Sequence, residues 1–182
     1  GAGSCAIRRS RSSNRTARTV AAARAAAACM TTPAPTVGWI GLGNIGLPMA
    51  RRVLAAGLPL TVWARRREAA APIVDAGASF AENPEGLARA CDVIATIVGG
   101  PDDVRELHRR MAPRARPGTV FVDMTTASPD NARESGELAA LAGAFAIDAP
   151  VTGGVAGATQ GALTSFVGGD PDALTRARPV LE

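Results

Sequence analysis

Val37-Gly-Trp-Ile-Gly-Leu-Gly-Asn-Ile-Gly-Leu-Pro-Met-Ala50 decides how this chain folds. Residues 37–41 form an apolar strand, the glycines make a turn, and a helix starts near Asn44. Gly41, Gly43 and Gly46 have the spacing of a dinucleotide-binding turn. In such a turn the first glycine allows the tight bend. The second lets the backbone approach a pyrophosphate, and the third lets helix and strand pack closely. Leu42, Asn44 and Ile45 complete the loop, and the amides of residues 44–47 would face phosphate charge with the helix dipole behind them. Pro48 falls in the first helical turn, where its missing N–H costs nothing. Met49, Val53 and Ala56 carry an inward face until Gly57 ends the helix. The glycine triplet alone is a weak signal. Flanked by a strand and a helix in this order, it reads as a nucleotide site.

The same alternation continues downstream. Strands are expected at 37–41, 59–64, 78–80, 92–98, 119–123, 144–148 and about 163–167. Helices are expected at about 44–56, 66–75, 84–90, 101–112, 128–142 and from Asp170-Pro171 onward. Apolar strands separated by helices predict an α/β fold of Rossmann type, a doubly wound and mostly parallel sheet covered on both faces. The dinucleotide-binding domain is assigned to residues 37–182, behind a leader at 1–36.

Composition narrows the function. All 20 basic Lys+Arg residues are arginine, and tyrosine is absent. The net charge of +4 is uneven: residues 1–36 hold six arginines and no acid, leaving fourteen arginines against sixteen acids. The folded part is slightly acidic, so no nucleic-acid surface is implied. No apolar run approaches a membrane span. Residues 1–29 read as a disordered, transit-like leader, or as sequence upstream of a true start at Met30. The expected location is cytoplasmic, or mitochondrial or plastid if 1–29 act as a transit peptide. Cys5, Cys29 and Cys91 lack metal-ligand spacing, and Cys91 is expected to be a reduced core residue. His108, set among Arg105, Glu106, Arg109 and Arg110, reads as part of a solvated helical face.

Ligands of such sheets bind beyond the carboxyl ends of the strands. Gly41–Gly46, Gly99-Gly100, Thr125-Thr126 and Pro150–Gly154 all fall there, which predicts one shared cleft. The end of the second strand selects the nucleotide. An NAD site usually places an acid there for the ribose 2′-hydroxyl, whereas this chain has Ala64-Arg-Arg-Arg67. A guanidinium grips a 2′-phosphate bidentately, and one such bond is worth roughly 1.5–3 kcal/mol, a preference of about 10- to 150-fold. NADP is therefore expected over NAD, with Arg65 the first candidate and Arg66 the second. A surface turn decorated with arginine is the competing explanation.

Val120-Phe-Val-Asp-Met-Thr-Thr126, Asp148-Ala-Pro-Val-Thr-Gly-Gly-Val-Ala-Gly-Ala158 and Gly161–Gly169 together resemble the β-hydroxyacid dehydrogenase family. This is the group of 3-hydroxyisobutyrate dehydrogenase and tartronate semialdehyde reductase. The resemblance runs from Val37 to Glu182. It implies that Thr126 contacts the nicotinamide half of the cofactor, and that Thr152, Gly153 and Gly154 hold a substrate carboxylate. Val98-Gly99 stands at a cofactor contact where the family often has Leu-Pro, and Thr152 replaces the usual serine. The resemblance also implies a lysine general acid beyond Glu182 and an all-helical second domain, neither within this chain, which then reads as a fragment with no catalytic residue of its own. The expected function is the cofactor-binding part of an NADP-dependent oxidoreductase. It would interconvert a short 3-hydroxy acid and its semialdehyde, as a homo-oligomer when complete. The alternative is a non-catalytic NADP-binding or interaction module.

Overall fold

The structure is a computed structural model that describes residues 33–182. The leader expected at 1–36 lies almost wholly outside the described residues. Six parallel strands form the body of the sheet. They are β1 (Val37–Ile40), β2 (Leu60–Trp63), β3 (Ser79–Phe80), β4 (Val93–Thr96), β5 (Val120–Asp123) and β6 (Phe145–Asp148). Their order is β3-β2-β1-β4-β5-β6, with a short β9 (Gly168–Gly169) antiparallel to β6 at the edge. The strand order switches from one side of β1 to the other between β3 and β4, and that switch point beside β1 is where open α/β sheets bind ligands.

Alternate strand residues feed two cores, one on each face. Val93 and Ala95 face helices α1 (Gly46–Ala55), α2 (Ala71–Val74) and α7 (Pro171–Leu181), through Val53, Ile73 and Ala173. Ile94 and Phe121 face α3 (Pro84–Ala90), α4 (Pro101–Met111) and α5 (Pro129–Leu141), through Leu87, Met111 and Ala139. Burial on both faces explains why these strands read as continuous apolar runs. Asn83 and Ser128 cap α3 and α5 by accepting from the amides of Gly86 and Asn131, and a proline follows each.

Three expectations need correction. Of the strand expected at about 163–167, only Thr164–Ser165 is extended, and it is not in the main sheet. Thr164–Ser165 (β8) pairs with Val151–Thr152 (β7) in a separate hairpin, and only Gly168–Gly169 joins the sheet. The loop at Pro150–Gly154 runs into an unforeseen helix α6 (Gly154–Gln160), which Gly161 ends at φ 69°. His108 is not solvated. It is 2% exposed between α4 and α5, its Nδ1 hydrogen-bonded to Ser135 Oγ at 2.8 Å and its ring tilted against Phe121. The face that carries it is the apolar stripe Val104, Leu107, His108 and Met111, and the charged neighbours point the other way. Cys91 is buried as expected, and burial pushes its thiol up to about 11, far from a reactive range.

Candidate dinucleotide site

The three glycines of the turn meet different physical demands. Gly41 adopts φ 103°, and a Cβ there would lie 1.9 Å from the carbonyl oxygen of Ile97. A Cβ on Gly46 would lie 2.1 Å from the Gly41 carbonyl oxygen, so helix α1 can approach the strand only without a side chain there. The same carbonyl accepts the indole N–H of the buried Trp39 at 2.9 Å, which pins the turn from beneath. Gly43 differs: nothing lies within 4 Å of where its Cβ would be. The fold does not require a glycine there, and the space above its backbone is open to a ligand. Among the described residues, no backbone or side-chain acceptor engages the amides of Asn44, Ile45 and Gly46, while the Leu47 amide is taken by the Gly43 carbonyl. This open cradle suits the pyrophosphate of a dinucleotide.

A cleft of about 620 Å³ extends from the turn. It brings together Gly41, Leu42, Gly43, Asn44, Ile45 and Gly46 with Arg65 and Arg66 after β2 and Val98 and Gly99 after β4. The arginines after β2 separate by partner. Arg67 pairs with Glu82 at 2.8 Å and stacks on Phe80, away from the cleft. Arg65 lines the cleft and pairs with Asp103 at 3.1 Å. Arg66 lines it without an acidic partner among the described residues. Trp63 forms part of the same wall.

Thr126, Thr152, Gly153 and Gly154 do not line this cleft. All four are exposed, past the ends of β5 and β6. Thr152 is held in the β7–β8 hairpin, and Gly153 and Gly154 take φ 125° and 63° at the start of α6. Thr125, expected with Thr126 in a loop of the shared cleft, is instead buried and does not line it; it accepts from the Val98 amide at 3.1 Å and donates its own amide to Asp123 Oδ1 at 2.9 Å. Asp123 also accepts from the Thr96 hydroxyl at 3.3 Å. It stands opposite Asp148 in the strand register. Burial, reinforced by the Asp148 charge, raises the Asp123 carboxyl above its ordinary range, and burial raises Asp148 as well.

A family model described as the NAD binding domain of 6-phosphogluconate dehydrogenase matches residues 36–182. An Arabidopsis thaliana protein named probable 3-hydroxyisobutyrate dehydrogenase-like 1, mitochondrial, is 41% identical over 156 residues, covering 82% of this chain and 46% of that protein. The 3-hydroxyisobutyrate dehydrogenase of Mycobacterium tuberculosis, solved with L-serine, has TM-score 0.77 and 38% identity over 82% of this chain and 51% of its own. A structure described as Psf3 in complex with NADP+ and 2-OPP has TM-score 0.75 and 35% identity, over 80% of this chain and 53% of its own. The chain spans about half the length of these relatives. The resemblance read from the strand and loop motifs is borne out.

Proposed function

The chain belongs to the family of the NAD-binding domain of 6-phosphogluconate dehydrogenase, and from that premise we propose that residues 37–182 are the NADP-binding part of a 3-hydroxyacid dehydrogenase. The observation that carries this reading is the single cleft joining the open Gly43 cradle to Arg65 and Arg66. The cradle takes the pyrophosphate, and the arginines take the 2′-phosphate that distinguishes NADP from NAD. Bound dinucleotide supplies a hydride acceptor or donor for a short 3-hydroxy acid or its semialdehyde. Within this chain Val98 and Gly99 form the wall beside the cofactor, and Thr126 is assigned to its nicotinamide end. Thr152, with the amides of Gly153 and Gly154, is assigned to the substrate carboxylate, a role their exposure permits. The given sequence contains no lysine to act as the general acid that the family resemblance implies.

Among the described residues no helix is long and apolar enough to cross a membrane. A cytoplasmic site of action is proposed, or an organelle if residues 1–29 are a transit peptide.

Equilibrium titration tests the cofactor reading, with Trp63 emission as the reporter because that ring lines the cleft. NADPH is expected to bind about 10- to 150-fold more tightly than NADH, and Arg65→Ala to remove most of the difference. Equal affinities for the two cofactors in the unaltered chain would overturn the reading.

A further inference from the structure

Arg65 and Asp103 reach each other from either side of β1. Arg65 follows β2 and Asp103 lies in the first turn of α4, which follows β4, and these two strands are the neighbours of β1. Their contact of 3.1 Å therefore crosses the nucleotide end of the cleft, and both residues line it. An acid in the first turn of a helix is ordinarily explained by the helix dipole. Here Asp102 already supplies that charge and pairs with Arg105. Asp103 instead leans toward the cleft over Gly99, whose Cβ would stand 2.9 Å from its Oδ2. The Arg65 side chain is 70% exposed and Asp103 28%, so the acid is the better fixed member of the pair.

We propose that Asp103 is a specificity-determining residue of the cofactor cleft: its carboxylate holds Arg65 and must release it when a 2′-phosphate arrives. The inference rests on the NADP reading of the same site. A 2′-phosphate binding at Arg65 breaks an existing ion pair and brings two anionic groups close together. A 2′-hydroxyl does neither, so Asp103 narrows the margin between the two dinucleotides. Arg66, with no acid to displace among the described residues, adds to the net preference for the phosphate that Arg65 still supplies. An exposed ion pair alone accounts for a factor of about 1.4 to 5, and like-charge repulsion adds to it.

The test is calorimetric titration of the chain with NADPH and NADH, for the unaltered protein, Asp103→Asn, Asp103→Ser, Arg65→Ala and the Arg65→Ala/Asp103→Asn double variant. Thermal unfolding of each variant checks that it is folded. Two replacements at Asp103 guard against a fault peculiar to one. The expected result is NADPH binding tightened by about 3- to 10-fold in both Asp103 variants, NADH changed by less than about 2-fold, and no tightening in the Arg65→Ala background. Tightening of both cofactors equally would overturn the proposal, because it would mark a general field and not a contest for Arg65. Unchanged or weaker NADPH binding in the Asp103 variants, with Arg65→Ala still impaired, would overturn it and leave the NADP reading standing. If Arg65→Ala binds NADPH as the unaltered chain does, both fall together.

Discussion

The backbone amide of Val98 donates to the hydroxyl of Thr125 at 3.1 Å, tying the residues after β4 to those after β5. Val98 is part of the cleft wall, whereas Thr125 lies behind it, buried and fixed by its own amide to Asp123. The wall's position thus depends on a hydroxyl that does not itself line the cleft. The neighbouring Thr126 is exposed and has the position assigned to the nicotinamide.

Thr125→Val keeps the shape of the side chain and removes the acceptor for Val98. A fully buried amide left unpaired costs about 1–3 kcal/mol, and because the Val98 amide is part-buried a loss at or below the low end of that range is expected in urea unfolding. NADPH affinity is expected to fall several-fold as the wall loosens, and Thr125→Ser to restore both quantities. Unaltered stability and affinity in Thr125→Val would show that the bond positions nothing.

The glycine turn and the arginines after β2 were legible because their demands are local: a bend, a close approach and a charge a fixed distance along the chain. Gly41 and Gly46 answer to steric contacts within a few residues or with the adjacent strand. Asp103 was not legible, because its partner Arg65 comes from a different βα unit and only the sheet order brings them together. His108 was legible in principle. Its spacing from Val104, Leu107 and Met111 places it on the apolar stripe, but the arginines beside it outweighed that pattern. Helix α6 stayed hidden because Gly154, Gly157 and Gly161 read as loop, and packing against α1 overrides their low helix propensity.

Gly43→Ala and Gly46→Ala should fail in opposite ways. A methyl group at Gly43 meets nothing within 4 Å, so unfolding is expected to be unchanged while dinucleotide binding drops by about tenfold or more. A methyl at Gly46 collides with the Gly41 carbonyl and Ile97, so the fold itself is expected to lose about 1–3 kcal/mol. Paired thermal unfolding and NADPH titration read both effects. Full dinucleotide affinity in a folded Gly43→Ala chain would remove the case for a pyrophosphate at that turn.

Asp148→Asn is expected to raise the melting temperature at neutral pH. Asp123 and Asp148 are register partners whose carboxyls are both raised above their ordinary range, Asp123 by burial first and the Asp148 charge in addition. An acid whose folded pKa is raised detracts from stability while ionised, and the loss is recovered as pH falls through that pKa. The advantage of Asp148→Asn should therefore be greatest near pH 7 and shrink toward the carboxylate range. A lower melting temperature at pH 7 would mean that the Asp148 carboxylate has a stabilising partner that outweighs the repulsion.

His108 gives the fold an acid-sensitive point with the opposite sign. Burial pushes its ring down to about 4, and among the described residues Nε2 has no hydrogen-bond partner, so the neutral ring is the form that fits the core. A base whose folded pKa lies below its unfolded value near 6.5 contributes its full stability above that value and loses it as pH falls toward 4. Between pH 7.5 and pH 5 the expected loss is on the order of 2 kcal/mol, read as a shift in urea midpoint. His108→Gln should be less stable at pH 7.5, having lost the ring packed on Phe121, yet should show a flatter pH dependence over the same interval. Since the raised carboxyls of Asp123 and Asp148 gain stability as they protonate, comparison with the variant isolates the histidine from that opposing trend. Parallel pH profiles for the two proteins would show that the ring takes up its proton as readily in the fold as in the unfolded chain, and that acid acts elsewhere.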